Sequence, residues 1–251
     1  MYDRDDISLL EAELEGDPLD ELVAEGNEVE APKPDPDLML QLLNSSQNQQ
    51  RMIAARAFCE LEEPRAIPQL IELLQDACPL LRVSAAYALG RNPSSAAVEP
   101  LIAQLGRDWN GYVRKGIVWA LGNCRDRRTL EPLVTALKAD ISAVRLWAAS
   151  ALAQASHLGY EAIISVIPVL IEGLRRDPVS AVRSNCAWTV GQLCRELPSN
   201  AIYGTAIDAL LEAFAEDEDL GVREDAKVAM LQVGDTRGLQ IIEEIEQEGL
   251  L

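Results

Sequence analysis

The chain has 251 residues, of which 48% are apolar and only 4% aromatic, and its formal net charge is −19. An acidic chain without a basic stripe is poorly suited to nucleic acids, and no apolar run approaches the roughly 18 residues that span a membrane. We therefore expect neither nucleic-acid binding nor membrane insertion, and the lack of a signal peptide, with five cysteines outside any disulfide framework, favours a cytoplasmic protein.

The charge is concentrated at the N-terminus. Residues 1–37 hold fourteen acids and two bases, a net charge of −12, which leaves −7 for the rest of the chain. We expect residues 1–37 to be an acidic, largely disordered tail and residues 38–251 to form the folded domain. The tail also contains leucines among its acids, including Leu9, Leu10 and Leu14. The alternative is therefore that it folds on a partner or lies over the protein's own groove.

A repeat follows the tail. From Arg51 to Arg223 an arginine recurs at intervals of 31 to 40 residues, and each opens a segment with apolar residues at i, i+4, i+7 and i+8. This spacing marks one face of a helix, and a second apolar stripe of helical period precedes each copy. With no strand signal, the pattern predicts an all-α solenoid of about five to six helix pairs. The last two intervals are longer, which indicates insertions near residues 156–163 and 198–205.

An aspartate precedes each repeat arginine by five or six residues, in the turn between paired helices. Such an aspartate can cap the following helix or pair with an arginine of an adjacent repeat, and we expect a structural Asp–Arg ladder along the stack. Its members are Asp76, Arg82, Asp108, Arg114, Asp140, Arg145, Asp177, Arg183, Asp217 and Arg223. The segment Asp235–Gln247 resembles one more first helix but places Glu243 and Glu246 in apolar columns, which is typical of a polar terminal cap.

The repeat pattern, Asp-x3–4-(V/L)-R-x2-A-x2-A-L-G followed by a Pro-Leu-containing helix, resembles the HEAT-like repeats of the phycobilisome-lyase type. That group includes bilin lyase subunits, phycobilisome-degradation factors, deoxyhypusine hydroxylases and plain scaffolds. The acidic tail followed by five to six repeats is similar to cyanobacterial HEAT-repeat proteins that interact with IscA. The resemblance implies a partner in iron–sulfur cluster assembly, or a phycobiliprotein with its bilin.

Catalytic chemistry has few candidate residues here. The sequence has one histidine, His157, which argues against a His-Glu di-iron centre, a His-based zinc site and a nucleophilic triad. We assign no catalytic residue and no metal site of the chain alone. Three helix-end cysteines, Cys59, Cys124 and Cys194, could share one edge of the solenoid. Cys59 and Cys124 belong to repeats that are separated by one intervening repeat, so we expect about 20 Å between them. An iron–sulfur cluster would therefore require thiolates of a partner.

A candidate binding surface lies five residues after each arginine, opposite the core stripe. This column holds Tyr87, Trp119 and Trp188, and the column one residue after the arginine adds Val83, Lys115 and Leu146. Trp and Tyr commonly anchor protein interfaces, and solenoids offer partners their concave side. Packing between adjacent second helices is the other interpretation, and to such packing we assign Trp147.

These observations favour a non-enzymatic scaffold that binds partner proteins in its concave groove, an IscA-type cluster protein among them. Two alternatives stay open. One is a bilin lyase subunit or chromophore chaperone, and the other is a cluster carrier that shares thiolates with a partner.

Overall fold

The computed structural model describes residues 34–247, and every regular element among them is helical. The helices alternate between an outer row of first helices and an inner row of second helices. The first helices are α1 (Pro36–Leu43), α3 (Ile67–Leu73), α5 (Ser95–Leu105), α7 (Leu130–Ala139), α10 (Tyr160–Arg176), α12 (Ala201–Glu216) and α14 (Thr236–Gln247). The second helices are α2 (Asn48–Ala57), α4 (Pro79–Arg91), α6 (Gly111–Asn123), α8 (Ser142–Ala151), α11 (Ser180–Cys194) and α13 (Leu220–Val233), and a short helix, α9 (Ala155–Leu158), follows α8. The predicted all-α solenoid is confirmed.

The apolar stripes form one continuous core between the two rows. In α6, for example, Val113, Ile117, Ala120 and Leu121 are all fully buried. Neighbouring second helices make more extensive contact with each other than neighbouring first helices do. The second helices therefore occupy the inner, concave side of the stack, where their outward faces form a groove.

The two insertions lengthen first helices rather than add separate loops. Helices α10 and α12 contain 17 and 16 residues, compared with 7 to 11 in α3, α5 and α7. Pro168 consequently lies inside α10, and Pro100 lies inside α5, whereas Pro68 occupies the first turn of the shorter α3. Before α10 the chain turns at Gly159, whose φ of 89° favours glycine.

Arginine–aspartate pairs tie each repeat to the next one. Each repeat arginine from Arg51 to Arg183 lies near the start of a second helix and donates to the aspartate in the following repeat's turn. The five pairs are Arg51–Asp76, Arg82–Asp108, Arg114–Asp140, Arg145–Asp177 and Arg183–Asp217, with shortest N–O distances between 2.6 and 2.9 Å. The aspartates also cap their own turns, as when Asp108 accepts from the backbone N–H of Asn110. The aspartates therefore pair with the arginine of the adjacent repeat, whereas the N-cap of α6 is Asn110 and not Asp108.

The pair between Arg82 and Asp108 is the most buried rung of the ladder. The two side chains are 7% and 0% exposed, and the guanidinium donates to both carboxylate oxygens at 2.7 and 2.9 Å. Burial by itself would raise the pKa of Asp108, but hydrogen bonds from Arg82, Asn110 and Gln104 hold that pKa below its usual range. The last arginine, Arg223, donates instead to the carbonyl of Phe214.

The ends of the solenoid differ from its middle. Helix α1 begins at Pro36 and is capped by Asp35, so it starts two residues before the domain boundary expected at residue 38. The expected disorder of residues 1–37 concerns a segment that, up to residue 33, lies outside the described residues. At the other end, α14 buries Ile242 and exposes Glu243. Among residues 34–247, no helix is both long and apolar enough to cross a bilayer.

Candidate functional site

The concave groove deepens into one large depression, which we call the central cavity. It has a volume of about 1180 Å³ and lies against four consecutive second helices, α4, α6, α8 and α11. Three tryptophans line it, one from each of the last three helices: Trp119, Trp147 and Trp188. Trp119 and Trp188 occupy the same repeat column, five residues after the repeat arginine, whereas Trp147 lies two residues after Arg145.

The three tryptophans differ in how firmly the fold holds them. The ring of Trp119 lies over Gly90 of the preceding second helix and 5.5 Å from the ring of Tyr87, measured between centroids. Trp147 is partly buried against the core, and the ammonium of Lys115 lies 5.5 Å from its ring centroid. Trp188 is 43% exposed. Trp119 therefore both packs and faces the cavity, whereas Trp188 presents the most accessible ring of the three.

The predicted groove residues are only partly brought together. Trp119 and Trp188 line the central cavity, but Tyr87, Val83, Lys115 and Leu146 are not among its lining residues. Tyr87 packs against Gly116 of the next second helix, while Val83 and Leu146 rest on the core. For these residues the packing interpretation describes what the structure shows.

Several cavity residues were missed by sequence reasoning. Trp147, assigned to packing alone, lines the cavity, and so do Gln154 and His157. Gln154 and His157 belong to the irregular stretch after α8, where the repeat period is interrupted. Their positions follow no repeat period, so the sequence pattern could not have identified them. For Trp147 the sequence offered two signals, the size of its side chain and its place one residue after Leu146, which had been assigned to the groove.

The cavity carries more cationic than anionic side chains. Its charged lining consists of Arg91, Arg125 and Glu62, with His157 at the edge. A guanidinium nitrogen of Arg91 lies 3.6 Å from a carboxylate oxygen of Glu62, and both side chains are exposed. Arg125 forms no ion pair with any residue that the structure describes. Arg125 also has a positive φ of 49°, which is uncommon for a residue other than glycine. In a chain with a net charge of −19, this local excess of cations is unexpected.

The deep wall of the cavity contains an unsatisfied acceptor. The side chain of Gln154 is 6% exposed, and its amide nitrogen donates to the Leu121 carbonyl and the Thr129 hydroxyl. Its Oε1 atom is buried and accepts no hydrogen bond within the described part of the chain. A buried acceptor without a donor costs free energy.

The cysteines do not fit an iron–sulfur cluster. Burial raises the pKa of the Cys59 and Cys194 thiols to about 12 and also raises the pKa of Cys124. Cluster ligands are thiolates, whose formation is opposed by such environments. Across residues 34–247, no three His, Cys, Asp or Glu side chains are grouped so that they could hold a metal ion. We therefore derive no chemistry through a cluster.

Alkylation of the thiols tests whether these cysteines are as inaccessible as the structure shows. Because burial raises the pKa of the Cys59 and Cys194 thiols, native protein treated with iodoacetamide at about pH 8 should leave both unmodified. Cys186, fully buried in the core, should behave in the same way, and all three should react in urea. Mass spectrometry of tryptic peptides would locate the label. Rapid modification of native Cys194 would contradict the burial described here.

The comparisons with known proteins agree with the architecture. A family model of HEAT repeats matches residues 36–117 and 98–189. An engineered protein of known crystal structure is 26% identical over 80% of this chain and 98% of its own, with a TM-score of 0.60. The Escherichia coli protein YibA is 21% identical over 84% of this chain and 76% of its own, with a TM-score of 0.59.

A lyase is also among the similar structures. In the complex of CpcE and CpcF of phycocyanin lyase from Nostoc sp. PCC7120, the matching chain is 25% identical. The match covers 85% of this chain and 82% of that one, with a TM-score of 0.56.

Proposed function

Because the chain belongs to the HEAT-repeat family, we propose that it is a non-enzymatic scaffold whose central cavity binds a segment of a partner protein. The observation that carries this proposal is the set of three tryptophans, Trp119, Trp147 and Trp188, on one continuous concave surface. Tryptophan is enriched among the residues that dominate binding energy at protein interfaces.

The dimensions of the cavity support a macromolecular ligand. At about 1180 Å³ it exceeds the usual range of roughly 300 to 1,000 Å³ for small-molecule pockets. It extends across four second helices, as an extended segment requires. In this proposal Trp188 is the principal anchor, and Trp119 and Trp147 form a prepositioned apolar floor.

Replacing Trp188 with alanine should weaken partner binding by about 30-fold, since truncating an aromatic anchor typically costs about 2 kcal/mol or more. The fold should be unaffected because the ring is 43% exposed. The matched control is Trp109→Ala, which removes a 76% exposed tryptophan that does not line the cavity. Affinity would be measured by calorimetry with a partner that co-elutes in gel filtration. An unchanged affinity of the Trp188→Ala variant would contradict the assignment of the cavity as the binding site.

The partner to test first follows from the resemblance in the sequence. An IscA-type cluster protein and a phycobiliprotein are the two candidates, and each can be purified and mixed with this chain. Under this proposal an IscA-type partner brings its own cluster ligands, since burial disfavours the thiolate forms of Cys59 and Cys194.

A second candidate function is a bilin lyase subunit or chromophore chaperone. The likeness to the CpcE and CpcF complex, 25% identity over 85% of this chain, favours it. In this reading the tryptophans and the arginines of the cavity contact the ring system and carboxylates of a bilin.

Adding free bilin to the purified protein separates the two candidates. A lyase subunit or chaperone should shift the bilin absorbance band, and Trp188→Ala should reduce that shift because the exposed ring is lost. A protein-only scaffold should leave the spectrum unchanged. An unchanged spectrum both with and without an apo-phycobiliprotein would remove the second candidate.

A further inference from the structure

We propose that the central cavity is a binding site for an acidic segment with apolar side chains, and that its occupant in the free protein is this chain's own N-terminal segment, residues 1–33. The inference goes beyond the proposed function and does not depend on it, because it concerns the protein without any partner.

Charge complementarity is the first argument. The cavity lining has two arginines, Arg91 and Arg125, against one acid, Glu62, in a chain with a net charge of −19. Residues 1–33 contain twelve acids and two bases. Arg125 has no ion pair among the described residues, and the contact of Arg91 with Glu62 is long and exposed. Arginine binds carboxylates through paired hydrogen bonds, so both side chains are available to carboxylates of such a segment.

The apolar pattern of the segment matches the rest of the lining. Leu9, Leu10 and Leu14 are interleaved with Glu11 and Glu13. The tryptophans of the cavity offer surfaces on which such leucines would be removed from water, at about 25 cal/mol for each Å² that is buried.

The connection is long enough. About 20 residues separate Leu14 from Pro34, where the described structure begins. A chain of about 20 residues spans at most about 70 Å when it is fully extended. Stacked helices lie roughly 10 Å apart, so the cavity is about 10 to 40 Å from the first repeat. The tether keeps the segment at an effective concentration in the millimolar range, so even weak contacts would populate the bound state.

Site-specific photo-crosslinking in the full-length chain tests the proposal without a partner. Leu10 would be replaced by benzoylphenylalanine, and the crosslinked peptides would be identified by mass spectrometry after irradiation of dilute protein. We expect intramolecular crosslinks to the peptides that carry Trp147, Gln154 and Trp188. Raising the salt concentration to about 1 M should reduce their yield about threefold or more, since surface ion pairs are then screened.

The arginines supply the matched comparison. Arg91→Gln with Arg125→Gln should lower the yield of cavity crosslinks about tenfold, the effect of losing roughly 1.4 kcal/mol. Arg127→Gln, an exposed change two residues from Arg125 and outside the cavity lining, should leave the yield unaltered. Crosslinks between two copies would show that the occupant is a second molecule and would overturn the proposal. Crosslinks scattered over the surface, or a yield insensitive to the cavity arginines, would overturn it as well.

Discussion

Replacing Asp108 with alanine should lower the free energy of unfolding by about 3–5 kcal/mol, the usual cost of leaving one member of a buried ion pair without its partner. The guanidinium of Arg82 would keep its bonds to the carbonyls of Asp76 and Ala77 but would lose both bonds to the carboxylate. The side chain of Gln104 and the backbone N–H of Asn110 would lose acceptors at the same time.

The control for this variant is Asp208→Ala. Asp208 pairs with Arg237 at 2.6 Å, but the two side chains are 58% and 54% exposed. Exposed pairs contribute about 0–1 kcal/mol, so the control should unfold almost as the parent protein does. Urea unfolding followed by circular dichroism would measure both variants. Equal losses in the two variants would show that burial does not set the strength of the Asp–Arg ladder.

The substitution Gly122→Ala should cost about 1–3 kcal/mol, because the added methyl group has no room. A Cβ atom at Gly122 would lie 2.8 Å from the Cβ atom of Ala151 and 3.1 Å from its Cα atom, so the backbones of α6 and α8 would have to separate. The same close approach recurs between Gly191 and Ala229, which shows that it belongs to the repeat rather than to one position.

An identical substitution elsewhere should act in the opposite direction. Gly204 lies in α12, and a Cβ atom added there would meet nothing within 4 Å. Gly204→Ala should therefore stabilise the protein by about 0.5–1 kcal/mol, since alanine favours helix more than glycine does. Thermal and urea unfolding of both variants would give the two signs. A stabilising Gly122→Ala would mean that neighbouring second helices are farther apart than described.

The architecture could be predicted from the sequence, because the same pattern of apolar residues recurs in every repeat. The apolar stripe of Val113, Ile117, Ala120 and Leu121 predicted a buried helix face, and all four residues are buried in the structure. The spacing of Asp108 and Arg82 pointed to the ladder, because a residue pair that recurs at a fixed offset meets the same neighbours in each repeat.

The candidate site was less accessible to sequence reasoning. Treating each second helix as an isolated cylinder placed Tyr87 in the groove and Trp147 on a flank. In the structure the second helices are so close that Tyr87 packs against Gly116, and Trp147 reaches the cavity. Residues that follow an interruption of the repeat, such as Gln154, carry no positional signal. The shape of the groove depends on the distance between neighbouring second helices. The apolar periodicity within one helix carries no information about that distance.

The pairing of each arginine with the next repeat's aspartate bears on how such a protein changes length in evolution. A deletion of residues 109–140 would remove Arg114 and Asp140 together and join Asp108 to Ile141. Arg82 would still face Asp108, and Arg145 would still face Asp177. Gene duplication or loss in units of this span therefore leaves every remaining arginine and aspartate of this part of the ladder with a partner, so lineages can shorten or extend the groove one module at a time.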